Sequence, residues 1–339
     1  MTSTDKIEAL RRADPAADMP SGGPLDRRAR EDLEHILHGE PARISVRQRW
    51  IGRRSLLVGV AAVTAGAVAI VVTDPFGATQ PATAATPPLL DKVLASGQPA
   101  RDALHRLAAV AQTDTELPGD GSGPHIVRTE SWSLSTRING TQIRSAVVPE
   151  ITELTWNADR SGHITTRTGK PYFPNSEYRS AWEGGGSPGK QGTVVRDESW
   201  QPGGYSPMFP NLPLPSDVDR LFIALKAAHP VDQLGTGELI IAINDLYNES
   251  QPSSAVRASL LRLLATRPDI IYLGRMTDRA GRPAECFAID SALTGLPQRQ
   301  VVMFSPKTGS LLASEEILTK HAGSLGIRIP AAVSYRVYY

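Results

Sequence analysis

Seven histidines and one cysteine are the side chains of this 339-residue chain best placed for metal binding or for acid–base and nucleophilic chemistry near neutral pH. Five of them, His105, His125, His163, His229 and His321, are scattered through different segments at no metal-ligand spacing. His35 and His38 share one short charged stretch, but no cysteine accompanies them. Cys286 lies in the apolar run AECFAID with no neighbouring base to lower its pKa, so it reads as a buried strand residue rather than a reactive thiol. A lone cysteine forms no intramolecular disulfide, and the fold must rest on its core.

The chain carries no HExxH, no Walker loop and no GxGxxG after a strand. The triple glycine Gly184 to Gly186 is followed by Ser187-Pro188 rather than by a helix with a lysine, which makes a flexible loop and not a phosphate cradle. The expectation is a non-enzymatic protein with no cofactor and no metal. What remains for chemistry is apolar binding. Residues 170–215 are dense in proline, glycine and aromatics, and Tyr172, Phe173, Trp182, Trp200, Tyr205 and Phe209 can rim a mouth for a lipid or an envelope protein. The plainer reading has the same aromatics stapling the loop onto the fold.

The element that must place everything else is Ser55 to Thr73, SLLVGVAAVTAGAVAIVVT, which holds no charged residue. About 20 apolar residues rising 1.5 Å each match a hydrocarbon core of roughly 30 Å, so the stretch reads as a transmembrane helix. Arg43, Arg47, Arg49, Arg53 and Arg54 precede it with no acid among them, whereas the first base after it is Lys92. The positive-inside rule then puts the N-terminus in the cytoplasm and the chain beyond Thr73 outside the plasma membrane. Cleavage is the rival reading: Arg53-Arg54-Ser55-Leu56-Leu57 has a twin-arginine look, and Ala82-Thr83-Ala84 has the form of a signal-peptidase site. The long stretch before the arginines argues for a retained anchor. Gly59, Ala62 and Gly66 form a small-residue face on which two such helices can pair as a homodimer.

Residues 1–54 are a short charged head, too poor in apolar residues to bury a core. Two short helices are expected in it, Asp5 to Arg12 and Asp26 to His38, and residues 1–41 can dock on a cytoplasmic regulator. Residues 74–88 are mostly Pro, Ala, Thr and Gly without periodicity, the composition of an extended linker. The formal net charge is +1, and the bases beyond the membrane flank are dispersed, which gives no nucleic-acid surface.

Residues 89–339 read as one extracytoplasmic α+β domain: a mainly antiparallel, curved sheet or pair of sheets with packing helices. Leu104, Leu107, Ala108 and Ala111 recur at helical spacing. His125 to Arg137 alternates as a strand, Asn139-Gly140 signals a hairpin, and Pro149 must break the return strand. HITTRT follows as a third strand, with Trp132 and Trp156 expected beneath the helix. Helices are expected from Ser216 to His229, from Thr236 to Tyr247 and from Ser253 to Thr266. Short strands then alternate with the turns Arg279 to Arg282 and Pro306 to Gly309 as far as SYRVYY.

In its order of parts the chain resembles a family of actinobacterial single-pass membrane proteins commonly encoded beside extracytoplasmic-function sigma factors. The blocks that carry the likeness are ATRPDIIYLGRMTDRAGRPAECFAI, with its turn at Asp278, Gly281 and Arg282, and VVMFSPKTGSLLASEEILT, with its turn at Pro306 to Gly309. The resemblance implies no catalytic residues. It does imply a signalling role, namely a membrane-anchored sensor or accessory protein linked to such a sigma factor. A lipid or lipoprotein carrier with an apolar cavity is the alternative of another class, and a cleaved, exported protein is the third.

Overall fold

The computed structural model describes residues 84–115, 124–134 and 146–339, apart from 188, 294, 324 and 326. The head, the apolar stretch Ser55 to Thr73, the five arginines before it and the Asn139-Gly140 turn lie outside the described residues. Among the described residues no helix is long and apolar enough to cross a membrane.

In chain order the elements are β1 (Gln98–Pro99), α1 (Arg101–Thr113), β2 (His125–Ser133), β3 (Glu150–Trp156), β4 (Gly162–Thr168), α2 (Ser176–Gly184) and β5 (Val194–Trp200). Three helices follow, α3 (Val218–Ala228), α4 (Val231–Tyr247) and α5 (Ser254–Ala265). The chain closes with β6 (Ile271–Thr277), β7 (Pro283–Ser291), β8 (Gln298–Phe304), β9 (Leu311–Leu318) and β10 (Ala331–Tyr338). The ten strands make one antiparallel sheet in the order β1-β6-β7-β8-β9-β10-β2-β3-β4-β5. Two meanders, β2 to β5 and β6 to β10, meet where the last strand pairs with β2, placing Tyr335 opposite Trp132. The fold is α+β.

Local chemistry sets the element ends. Asp217 caps α3 by accepting from the Arg220 N–H at 2.9 Å, and Ser253 caps α5 through Val256. Inside α4, Gly235 adopts φ 72°, so the regular helix begins at Thr236, where the periodicity of the sequence begins it. Pro149 immediately precedes β3 and ends its pairing with β2 at Glu150, while Val147 still bridges Tyr172 beyond it. The β6–β7 turn closes on Asp278, whose carboxylate accepts from the N–H groups of Ala280 and Arg282 at 3.0 and 2.8 Å.

Successive strand residues point to opposite faces, and each face has its own cover. Phe287, Ile289, Val302, Phe304 and Tyr338 join the buried leucines of α1, α3, α4 and α5. Cys286, Ala288, Val301, Met303, Ala313 and Ile317 face the other way and pack with Ala85 and Val93. Trp132 belongs to this second face, where its ring stacks on Tyr335 at 6.3 Å, and not beneath the helices as the sequence suggested. Helix α5 is buried on all sides rather than along one stripe. Its Arg257 is 1% exposed and is satisfied by the carbonyls of Pro252 and Thr308 and by the Asp114 carboxylate.

Residues 84–95 form a strap across the second face. Ala85 and Val93 are buried, Arg279 donates to the Pro88 carbonyl at 3.0 Å, and Arg299 donates to the carbonyls of Val93 and Ala95 at 3.2 and 2.9 Å. The last residues of the segment assigned to a linker, 84–88, therefore rest on the sheet.

Candidate functional site

The six aromatics expected around one mouth occupy three places. Phe173 and Trp182 meet edge-to-face at 5.3 Å beside α2, with Arg179 over the Phe173 ring, and Tyr172 nearby is 40% exposed. Trp200 and Tyr205 lie 5.0 Å apart, and Tyr205 also meets Trp156 at 5.2 Å over Leu154 and Ile164. Phe209 is buried among the helices and stacks on His229 at 5.9 Å. Tyr205 and Phe209 act as anchors that fasten residues 205–209 to the fold, which is the stapling role.

The polar group that receives this loop is Glu249, just past the end of α4 and 5% exposed. The Met208 N–H lies 2.8 Å from both of its carboxylate oxygens, and the Phe209 N–H donates to Oε2 at 3.3 Å. The Tyr205 hydroxyl donates at 3.5 Å, and the Glu249 backbone carbonyl accepts from Trp156 Nε1 at 2.6 Å. Burial pushes the Glu249 carboxyl up to about 7; the Met208 and Phe209 N–H groups oppose the rise and the charge of Asp245 adds to it. The C-terminal end of a helix carries partial negative charge, which also disfavours an anion there. Burial likewise raises the Tyr205 hydroxyl, with the Glu249 charge next in effect.

A second polar group bridges α3 and α4. His229, at the end of α3, has Nδ1 2.9 Å from Glu238 Oε1 and Nε2 3.5 Å from Asp245 Oδ2. Asp245 and Glu249 are one helical turn apart, so the two groups adjoin, with the Phe209 ring against the imidazole and its N–H on the carboxylate. His125 lies nearby, stacked on Trp156 at 4.2 Å, and burial lowers its pKa.

Its chemical reach follows from its size. The adjoining depression, lined by His125, Leu212, Leu246, Ser250, Gln251 and Val256 among others, has a volume of about 20 Å³. That holds one water and no substrate. Burial makes Glu249 easier to protonate than an ordinary carboxyl, and the same carboxylate holds residues 208 and 209 by their N–H groups. Cys286 is buried, with its thiol pushed up to about 12 mainly by burial. Among the described residues no group of three or more His, Cys, Asp or Glu side chains is placed to hold a metal ion.

Glu249 carries no pattern that a sequence reading can detect, being one acid after a helix. Its only signal is position, in the pair Asn248-Glu249 between an apolar helix and a proline-bounded loop. Compared with known proteins, the chain matches no family model, no curated protein and no solved structure.

Proposed function

We propose that the chain is a non-catalytic, membrane-anchored sensor or accessory protein whose α+β domain lies outside the membrane and whose head meets a cytoplasmic regulator, an extracytoplasmic-function sigma factor being the regulator class. The observation that carries this reading is the strap. Shortly after the apolar stretch the chain is buttoned to the sheet by Arg279 and Arg299 instead of hanging free. A change in the outer domain then has a mechanical route to the anchor, which a free tether would not supply.

The carrier reading needs an apolar cavity. The helix-covered face is instead filled by Leu221, Leu225, Leu239, Ile243 and Leu260, each at most 1% exposed. That packing favours the sensor.

The test is a crosslinked pull-down of the intact protein from its native membrane, beside a version lacking residues 1–41 but retaining Arg43 to Arg54. Recovery of a sigma factor or another cytoplasmic regulator with the intact head alone supports the reading. If both versions recover the same envelope components or lipid, the head has no regulatory role and the carrier reading replaces this one.

A further inference from the structure

The two edges of the sheet are built differently. At one end β6 is covered by the two-residue strand β1, whose Pro99 has no N–H to offer. At the other end β5 pairs with β4, and among the described residues no further strand lies beyond it. Five of its seven residues are exposed; Val194 is 45% and Val195 51% exposed. Such an edge is a template for another strand.

The side chains of β5 restrict which strand fits. Arg196 and Glu198 lie on the same face, 2.7 Å apart, and Asp197 lies on the other, 3.2 Å from His163 of β4. The Val195 bulge, between Val194 opposite Arg167 and Arg196 opposite Thr166, interrupts regular pairing at the N-terminal end. Charges and a bulge discourage indiscriminate strand addition. They do not discourage a second copy of the same strand. Two β5 strands running antiparallel about an axis through Asp197 place Arg196 of each opposite Glu198 of the other, twice, on one face of the joined sheet. The Arg196 and Glu198 side chains are 30% and 51% exposed, so the contact is weak by itself. Copies confined to one membrane meet at high effective concentration, where a weak contact suffices.

We propose that β5 is the contact strand of a homodimer, in which the Val194–Trp200 edges of two copies pair antiparallel about a two-fold axis at Asp197. The interface is isologous and uses backbone hydrogen bonds for affinity and the Arg196 to Glu198 pairs for register.

The experiment is oxidative crosslinking of the full-length chain in its native membrane. Cys286 is buried, so the native thiol gives a quiet background. An Asp197→Cys substitution at an exposed position on the axis should form a disulfide dimer, whereas Ser199→Cys and the distant, exposed Ile223→Cys should not. In the Asp197→Cys background, Arg196→Glu sets like charges opposite each other twice and should lower the crosslinked fraction roughly tenfold. Adding Glu198→Arg to that variant restores both pairs and should restore the crosslink. No excess of crosslink at Asp197→Cys over Ile223→Cys overturns the proposal, as does a failure of the charge exchange to rescue. Equal crosslinking at Ser199→Cys would overturn the stated register. A dimer that forms without any β5 crosslink assigns dimerisation to another part of the chain.

Discussion

Arg279 and Glu315 form a buried ion pair, 2.7 Å from Nε to Oε1, and the same guanidinium reaches across to the Pro88 carbonyl. One side chain thus ties β9 to the strap, and it also lies over the Tyr335 ring at 4.8 Å. Arg279→Met keeps the volume and removes the charge. It leaves Glu315, 2% exposed, without its cation, at a cost of about 3–5 kcal/mol. Burial already raises the Glu315 carboxyl and Arg279 opposes the rise, so the variant's carboxyl moves higher still. A group raised in the folded state favours folding when protonated, and the loss grows as pH rises. The expected result is a lower melting temperature, more so at pH 8 than at pH 5, with faster hydrogen exchange in residues 84–95. Unchanged exchange in the strap would show that Arg279 does not hold it.

Glu249 gives a pH dependence with a defined sign. Its folded value of about 7 lies above the ordinary carboxylate range, so its contribution is fully present below that range and is lost as pH rises toward and through 7. His125 slopes the other way: burial lowers it, so its contribution is present above its ordinary value and lost as pH falls. Glu249→Gln removes the first slope and leaves the second. Melting temperatures of the full chain between pH 5 and 8 should therefore fall with pH more steeply in the native chain than in the variant. Parallel curves would show that Glu249 titrates as an ordinary exposed acid.

Much of this architecture is legible in the sequence because turns and caps are chemical. Asp278, Gly281 and the Pro306 to Gly309 turn mark the hairpins, and Asp217 and Ser253 mark the helix starts, each by a local hydrogen bond or backbone angle. The strap is not legible: Ala85 and its proline-rich neighbours show no period, and what buries Ala85 is a sheet face formed by residues two hundred positions further on. The burial of α5 on all sides depends on α1 crossing it, a contact between segments more than a hundred residues apart. The aromatics of residues 170–215 share a composition but not a place, because β5 and α2 form within the stretch and carry their rings apart.

Arg257 makes the dependence of α5 on distant contacts measurable. Its guanidinium is 1% exposed and binds Asp114 at the end of α1, a carboxylate with a 4% exposed side chain. Arg257→Met leaves Asp114 buried without its cation and the Pro252 and Thr308 carbonyls without their donor. The expected loss is about 3–5 kcal/mol, read by thermal or urea unfolding of the full chain. Asp114→Asn keeps a hydrogen-bonding oxygen and should cost less. Equal losses in the two would mean that the ion pair alone carries the effect and that the bonds to the Pro252 and Thr308 carbonyls add nothing.

Gly309 and Gly281 separate two reasons for a glycine in a turn. Both adopt positive φ, 65° and 80°, where a side chain costs about 1–2 kcal/mol by backbone sterics alone. Around Gly281 nothing lies within 4 Å of an added methyl, so Gly281→Ala should cost only that amount. At Gly309 the methyl would sit 2.6 Å from the Ala111 Cβ and 3.0 Å from a Leu261 methyl, so α1 and α5 must move apart to admit it. Overpacking of that kind adds about 1–3 kcal/mol. Gly309→Ala should therefore unfold at a distinctly lower temperature than Gly281→Ala. Ala111→Gly, placed in the Gly309→Ala chain, should recover part of the difference, because it removes the atom in closest conflict. If both alanine variants melt together, the β8–β9 turn gives way without disturbing the helices, and the close packing of Gly309 on α1 contributes nothing to stability.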